Sequence, residues 1–158
     1  MAHQFYVAIE GKQQGKFKGE SKRKARKDQI EGLAFSYEVQ SPRDAATGQA
    51  TGKRVHKPIT VVKEWGAATP QLFQALVTNE QLTSVVMEFV RTDAAGKELV
   101  FHRVTLTNAA VSDIRQHIDG LGNAHPELED VSFTFQKIKI ENLAGKTTAE
   151  DDWNTPTA

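Results

Sequence analysis

The chain has 158 residues, with 20 basic and 20 acidic side chains and a pI near 7. That length supports one domain with a sizeable core, and the balanced charge argues against a surface that attracts nucleic acid everywhere. The absence of cysteine excludes disulfides, thiolate nucleophiles and cysteine metal sites. The N-terminus, MAHQFYVAIEG, has no basic segment leading into a long apolar run, and no stretch is long enough to span a bilayer. The expectation is a soluble protein made in the cytoplasm that, if exported, uses a route reading no N-terminal signal.

Phe5, Val7 and Ile9 alternate with Tyr6, Ala8 and Glu10, predicting a first strand that ends at Gly11. A polar stretch follows, containing the basic run Lys22-Arg23-Lys24-Ala25-Arg26-Lys27, flanked by Glu20, Asp28 and Glu31. The run reads either as a phosphate-binding patch or as a solvated loop, and the loop is favoured. From Ile30 to Gln40, Leu33, Phe35, Tyr37 and Val39 share one face, while Gly32, Ala34, Ser36 and Glu38 share the other. This is the pattern of a strand with its back to a core and its front to water or a wide cavity. Residues 41–53, SPRDAATGQATGK, lack a large apolar residue and read as a long loop. It is either functional or a disordered hairpin tip.

The stretch from Arg54 to Val77 organises the architecture. Val55, Ile59 and Val61 fall at strand spacing, and the strand ends at Trp65-Gly66. Thr69 is expected as a helix N-cap and Pro70 as the first helical residue. Leu72, Phe73, Leu76 and Val77 then make one apolar stripe. A lone helix among strands needs a sheet or barrel to lie against. Gln81 to Thr92 is a strand with Val85, Met87 and Phe89 on one face and Val86 and Val90 on the other. Such a strand is either central in a sandwich or covered by another subunit, and on the second reading Val85, Val86, Met87 and Val90 are the expected oligomer interface. Asp93 to Gly96 turns the chain into a hairpin partner, Leu99 to Leu106, in which Val100, Val104 and Leu106 share a face with His102.

Val111 to Ile118 is a strand in preference to a short helix, and Asp119 to Pro126 is a turn region. In Val131 to Ile140 the apolar positions pass from odd (Val131, Phe133, Phe135) to even (Ile138, Ile140). That predicts a β-bulge near Gln136-Lys137 or a bend from one sheet into another. The tail, about 142–158, is polar apart from Trp153, and its Asp151-Asp152 pair reads as solvated.

Catalytic signals are missing. The five histidines, at 3, 56, 102, 117 and 125, form no metal-binding pair, and His56 and His102 read as structural strand residues. Ser21, Ser36 and Ser84 lie in no nucleophile elbow, and no phosphate-cradling glycine loop appears. The expectation is that the chain is not an enzyme and takes no cofactor or metal.

Several segments together resemble a known family. They are Gly19-Glu20-Ser21, Ile30-Glu31, Leu33-Ala34-Phe35-Ser36 and His56-Lys57-Pro58-Ile59-Thr60-Val61. The series continues with Ala68-Thr69-Pro70-Gln71-Leu72, Ala75-Leu76, Val131-Ser132-Phe133-Thr134-Phe135-Gln136-Lys137-Ile138 and Ala149-Glu150-Asp151-Asp152-Trp153. In that order they resemble the haemolysin-coregulated proteins (Hcp), tube-forming subunits of type VI secretion systems. Gly32 departs from the family's usual bulkier aliphatic residue, and the basic run is heavier than the family's.

The resemblance implies a mainly β, two-sheet, barrel-like fold with one helix, about 69–78, packed alongside, and a single domain over residues 1–158. Some relatives carry a C-terminal toxin domain, for which a chain ending at Ala158 has no room. It implies hexameric rings that stack into an inner tube, with spike, sheath and effector proteins as partners, and with no nucleic acid or membrane insertion. On that reading Ala34, Ser36 and Glu38 face the lumen. Arg43, Asp44, Thr47, Gln49 and Lys53 belong to a loop that joins stacked rings. The alternatives are a closed barrel binding a small molecule and a nucleic-acid module using residues 22–27.

Overall fold

The computed structural model describes residues 4–21, 26–118, 120 and 127–154. Lys22 to Ala25 of the basic run, and all but Gly120 of the turn at 119–126, lie outside the described residues. The fold is mainly β, with two sheets and one helix among the described residues.

The strands are β1 (Gln4–Gly11), β2 (Gly15–Lys16), β3 (Ile30–Gly32), β4 (Ala34–Ser36), β5 (Val39–Gln40) and β6 (Val55–His56). Then come β7 (Ile59–Glu64), the helix α1 (Ala68–Val77), β8 (Leu82–Thr92), β9 (Glu98–His117), β10 (Leu128–Asn142) and β11 (Thr147–Asp152). The main sheet runs β2-β1-β8-β9-β10-β7-β4, with β11 added to β10 and β3 to β1, while β5 and β6 pair separately. Its two ends meet at one segment. Residues 30–32 pair with β1, whereas Leu33 donates to Val62 O and residues 34–36 pair with β7. The sheet wraps without one continuous strand closing it, so it is barrel-like rather than a closed barrel.

A crease crosses this sheet. Along β9 the buried positions pass from Val104 and Leu106 to Ala109 and Val111, and along β10 from Phe133 and Phe135 to Ile138. Because both strands change phase opposite one another, the β9–β10 register holds across Gln136. Asn108 takes a positive φ of 51° there, and its side-chain amide donates to Gln136 Oε1 at 3.0 Å. The same line continues through β8, between Leu82 and Val85, to the register shift at Glu10/Gly11 in β1. Beyond it β10 exchanges β7 for β11 as its neighbour. The expected phase change at Gln136-Lys137 is therefore a bend shared by the strands. The bulge lies elsewhere, at Ser132/Phe133, where β9 has one extra residue.

Other boundaries differ from expectation. The strand expected from Val55 to Trp65 is two strands, because the chain leaves β6 at Lys57-Pro58 and Val55 pairs with Gln40 outside the main sheet. Thr69 is not the N-cap. Ala67 is, with no side-chain cap, and Thr69 lies inside the first turn. The expected apolar stripe is also narrower. Ala68, Leu72 and Ala75 are buried and Leu76 packs against the core, but Phe73 and Val77 are 52% and 55% exposed. The strand 98–117 runs straight through Val111 to His117, as the β-rich run before it suggested.

One polar cluster fixes α1 to the sheet. Lys63 and Glu129, on β7 and β10, are 2% and 0% exposed, and Lys63 Nζ lies 2.6 Å from Glu129 Oε2. The ammonium also donates to Glu64 O and lies 3.0 Å from Glu20 Oε1 without the alignment of a hydrogen bond. Thr69 accepts from Gly66 N–H at 2.9 Å and donates its hydroxyl proton to Glu129 Oε2 at 2.7 Å. A buried charge needs this degree of pairing to be tolerated. Gly66 leaves the space the Glu20 side chain occupies, since an added Cβ would lie 2.1 Å from Glu20 Cγ.

Candidate functional site

No group of three or more His, Cys, Asp or Glu able to hold a metal occurs among the described residues. The features that stand out are a hairpin, the strand that holds its root, and two surfaces.

Residues 41–53 form an ordered hairpin. Arg43 and Ala50 are bridged, Asp44 N–H donates to Gln49 O, and Thr51 N–H donates to Pro42 O. Asp44 Oδ1 accepts from Ala46 N–H at 2.7 Å and Thr47 N–H at 3.1 Å, so these backbone donors hold its carboxyl below the usual range. Gly48 supplies the positive φ of 74° that closes the turn. Arg43, Asp44, Thr47 and Gln49 are exposed around this tip. Lys53 is committed elsewhere: its ammonium donates to Trp153 O.

That contact belongs to a larger clamp. Arg54 Nε donates to Asp151 Oδ2 at 2.6 Å, and Arg54 Nη2 donates to Asp152 O at 2.6 Å. His56 Nε2 lies 2.6 Å from the same Asp151 Oδ2, and His56 Nδ1 lies 2.7 Å from Tyr37 Oη. A carboxylate only accepts, so Nε2 carries the proton, and in the neutral ring Nδ1 accepts from the Tyr37 hydroxyl. Arg54's hydrogen bond, with His56 adding and burial opposing, holds the Asp151 carboxyl below the ordinary range. Burial, then the Asp151 charge, pushes the Tyr37 phenol up. The Tyr37–His56–Asp151 chain thus links the segment before the hairpin, β6 and β11 through two hydrogen bonds. Asp151 is thus not the solvated tail residue expected. The segment after Asn142 folds back as β11 because β10 offers it a free edge beyond the crease.

The expected interface residues are mostly internal. Val85 and Met87 are 0% exposed and sit in the core, and Val90 is 4% exposed. These three therefore do not form an outer surface. The chain covers them itself: the wrapped sheet buries Val85 and Met87 on the inner face of β8, and Val90 is buried on the opposite face. Val86, on the same face as Val90, is the one of the four that stays half-buried. Ala34, Ser36 and Glu38 are exposed, and Glu38 pairs with Lys57 at 2.8 Å. Behind them Phe35 and Tyr37 pack against the core as expected, whereas Leu33 and Val39 are exposed. Val39 overhangs because β4 is three residues long and the chain then leaves the main sheet for β5, and Leu33 lies at the step between β3 and β4.

The exposed face of α1 borders a groove of about 600 Å³ lined by Pro70, Phe73, Leu76, Val77 and Ile114, with Thr69 and Gln116 at its polar side. Sequence reasoning missed it by assigning the whole stripe to the core. Of the basic run, Arg26 is used internally: its guanidinium pairs with Glu88 and lies 5.3 Å from the centre of the Tyr6 ring.

A family model described as type VI secretion system effector, Hcp, matches residues 6–141. The chain belongs to the Hcp family. An Hcp relative named "Major exported protein", from Pseudomonas aeruginosa, is 36% identical over a 171-position alignment covering 100% of this chain and 99% of the relative. A solved Hcp protein superposes with a TM-score of 0.89 at 28% identity, covering 96% of this chain and 100% of that one. The secreted protein Hcp3 of Pseudomonas aeruginosa gives a TM-score of 0.80 at 29% identity, covering 98% and 100%. The segments that resembled Hcp in sequence thus lie in an Hcp fold.

Proposed function

We propose that the chain is a structural subunit of a type VI secretion inner tube. Copies close into a hexameric ring, rings stack, and the wall encloses a lumen that carries effectors. Membership of the Hcp family over 6–141 carries the reading. Its spike, sheath and effector partners follow from that role, as does export from the cytoplasm, which the name of the exported relative supports. The role is structural rather than catalytic.

Within that reading, Ala34, Ser36 and Glu38 form part of the lumen wall. They are exposed, small or charged, and backed by a packed aromatic layer of Phe35 and Tyr37. The hairpin tip, with Arg43, Asp44, Thr47 and Gln49, contacts the next ring, where small wet contacts suit reversible assembly. Val86 and the exposed α1 residues Phe73 and Val77 offer apolar surface to a neighbour within the ring. Light scattering tests the reading: a ring mass is expected, and a monomer at micromolar concentration overturns it.

A further inference from the structure

The hairpin has little packing of its own. Residues 43–53 are all exposed, and the turn is held by local backbone bonds and one bridge. Nothing in those contacts sets its direction relative to the sheet. Its outgoing leg, however, runs directly into Lys53, Arg54 and His56, and all three engage β11 or the residue after it. Lys53 binds Trp153 O, Arg54 binds Asp151 Oδ2 and Asp152 O, and His56 binds the same Asp151 oxygen. The Trp153 ring lies 5.3 Å from the His56 ring, and Phe135 meets the same His56 ring at 5.4 Å. β11 is itself fixed, by a six-residue ladder to β10 and by Trp153 N–H donating to Gln136 O at the crease.

We infer that the C-terminal strand β11 aims the 41–53 hairpin, with Asp151 as the positioning residue. Asp151 fits the role because one carboxylate oxygen receives both Arg54 and His56, and charge-assisted bonds of this kind are the strong ones. The surface a second copy meets is then composite. The hairpin supplies the contacts and the C-terminal strand supplies their orientation. This rests on the reading that the hairpin joins stacked rings.

Hydrogen exchange on the full chain separates the two ideas. In Asp151→Ala, the hairpin amides of Asp44, Gly48, Gln49 and Thr51 should exchange about tenfold faster. The ring mass should stay the same and ring stacking should fall. Lys53→Met removes only the contact to Trp153 O and should shift the same amides less, which keeps the test usable if Asp151→Ala folds poorly. Glu150→Gln, on the same strand but paired with Lys137, should leave them unchanged. Wild-type exchange in both Asp151→Ala and Lys53→Met overturns the inference. So does normal stacking of Asp151→Ala rings when shortening of the hairpin abolishes stacking. If shortening leaves stacking intact, the stacking reading fails, and the hairpin amides still decide whether β11 aims the loop.

Discussion

The ring of Phe5 occupies the space in which residue 32 would carry a side chain. Phe5 and Gly32 are cross-strand partners in β1 and β3, and a Cβ on Gly32 would lie 2.1 Å from Phe5 Cε2 and Cζ. The ring can sit there because it stacks on Phe89 at 5.0 Å and meets Phe35 edge-on at 6.2 Å. At Gly32 an aromatic ring thus lies over a strand glycine.

Gly32→Ala is expected to lower stability by about 1–3 kcal/mol, the range for an overpacked core. Phe5→Leu alone also destabilises, by leaving space behind. The double variant should lose less than the sum of the two, because the smaller side chain admits the added methyl group. Urea denaturation of the three variants measures this, and simple additivity would show that the residues do not compete for one space.

Lys63→Met should cost about 3–5 kcal/mol, since it strands Glu129 in the interior without a cation. Lys63→Met combined with Glu129→Leu should recover much of the loss, because the desolvation cost disappears with the charge. Thermal unfolding distinguishes this from a cluster whose value lies in the ion pair itself, in which case the double variant stays as unstable as the single.

Asp151 makes stability depend on acid in one direction. Its carboxyl is held below the ordinary range by Arg54 first and by His56 as well. The folded state therefore binds the proton less readily than the unfolded state. The stabilisation is fully present above the unfolded value of about 4 and is lost as pH falls through the lower folded value. Asp151→Asn should lower stability at neutral pH and flatten that acid limb. A limb as steep in the variant as in the wild type would assign the acid sensitivity to other groups.

Shortening the hairpin by removing Ala45–Thr51 should leave rings intact while tube formation and secretion fall. The residues removed are exposed and lie outside the core, so folding is expected to survive. Loss of the ring, seen by light scattering, would move the hairpin to contacts within a ring.

Ser36→Arg should keep both the fold and the ring, because the side chain at this exposed position projects into solvent. Retention of cargo should weaken as the new side chain narrows the channel and changes its surface. Loss of the ring would place Ser36 at a packed interface, and unchanged cargo retention would leave it an ordinary surface serine.

The sequence by itself determined the local elements and the family. Period-two alternation in β1, β8 and β10 and the existence of one helix near Pro70 depend on near neighbours, and so does the phase change at Gln136, although the helix begins at Ala68 and not at the expected Pro70. Such signals survive in a linear reading because sterics and one-sided burial act within a few residues. Which apolar face is internal was decided only by the wrap of the sheet. What an element buries depends on what packs against it, so Val85 and Met87 of β8 went inside while Phe73 and Val77, on the face of α1 turned from the core, stayed out. The clamp was equally illegible. Arg54 and His56 meet Asp151 across 97 and 95 positions, and nothing along the chain marks that pairing. It exists because the crease turns β10 away from β7 and leaves an edge on which the C-terminal strand can pair.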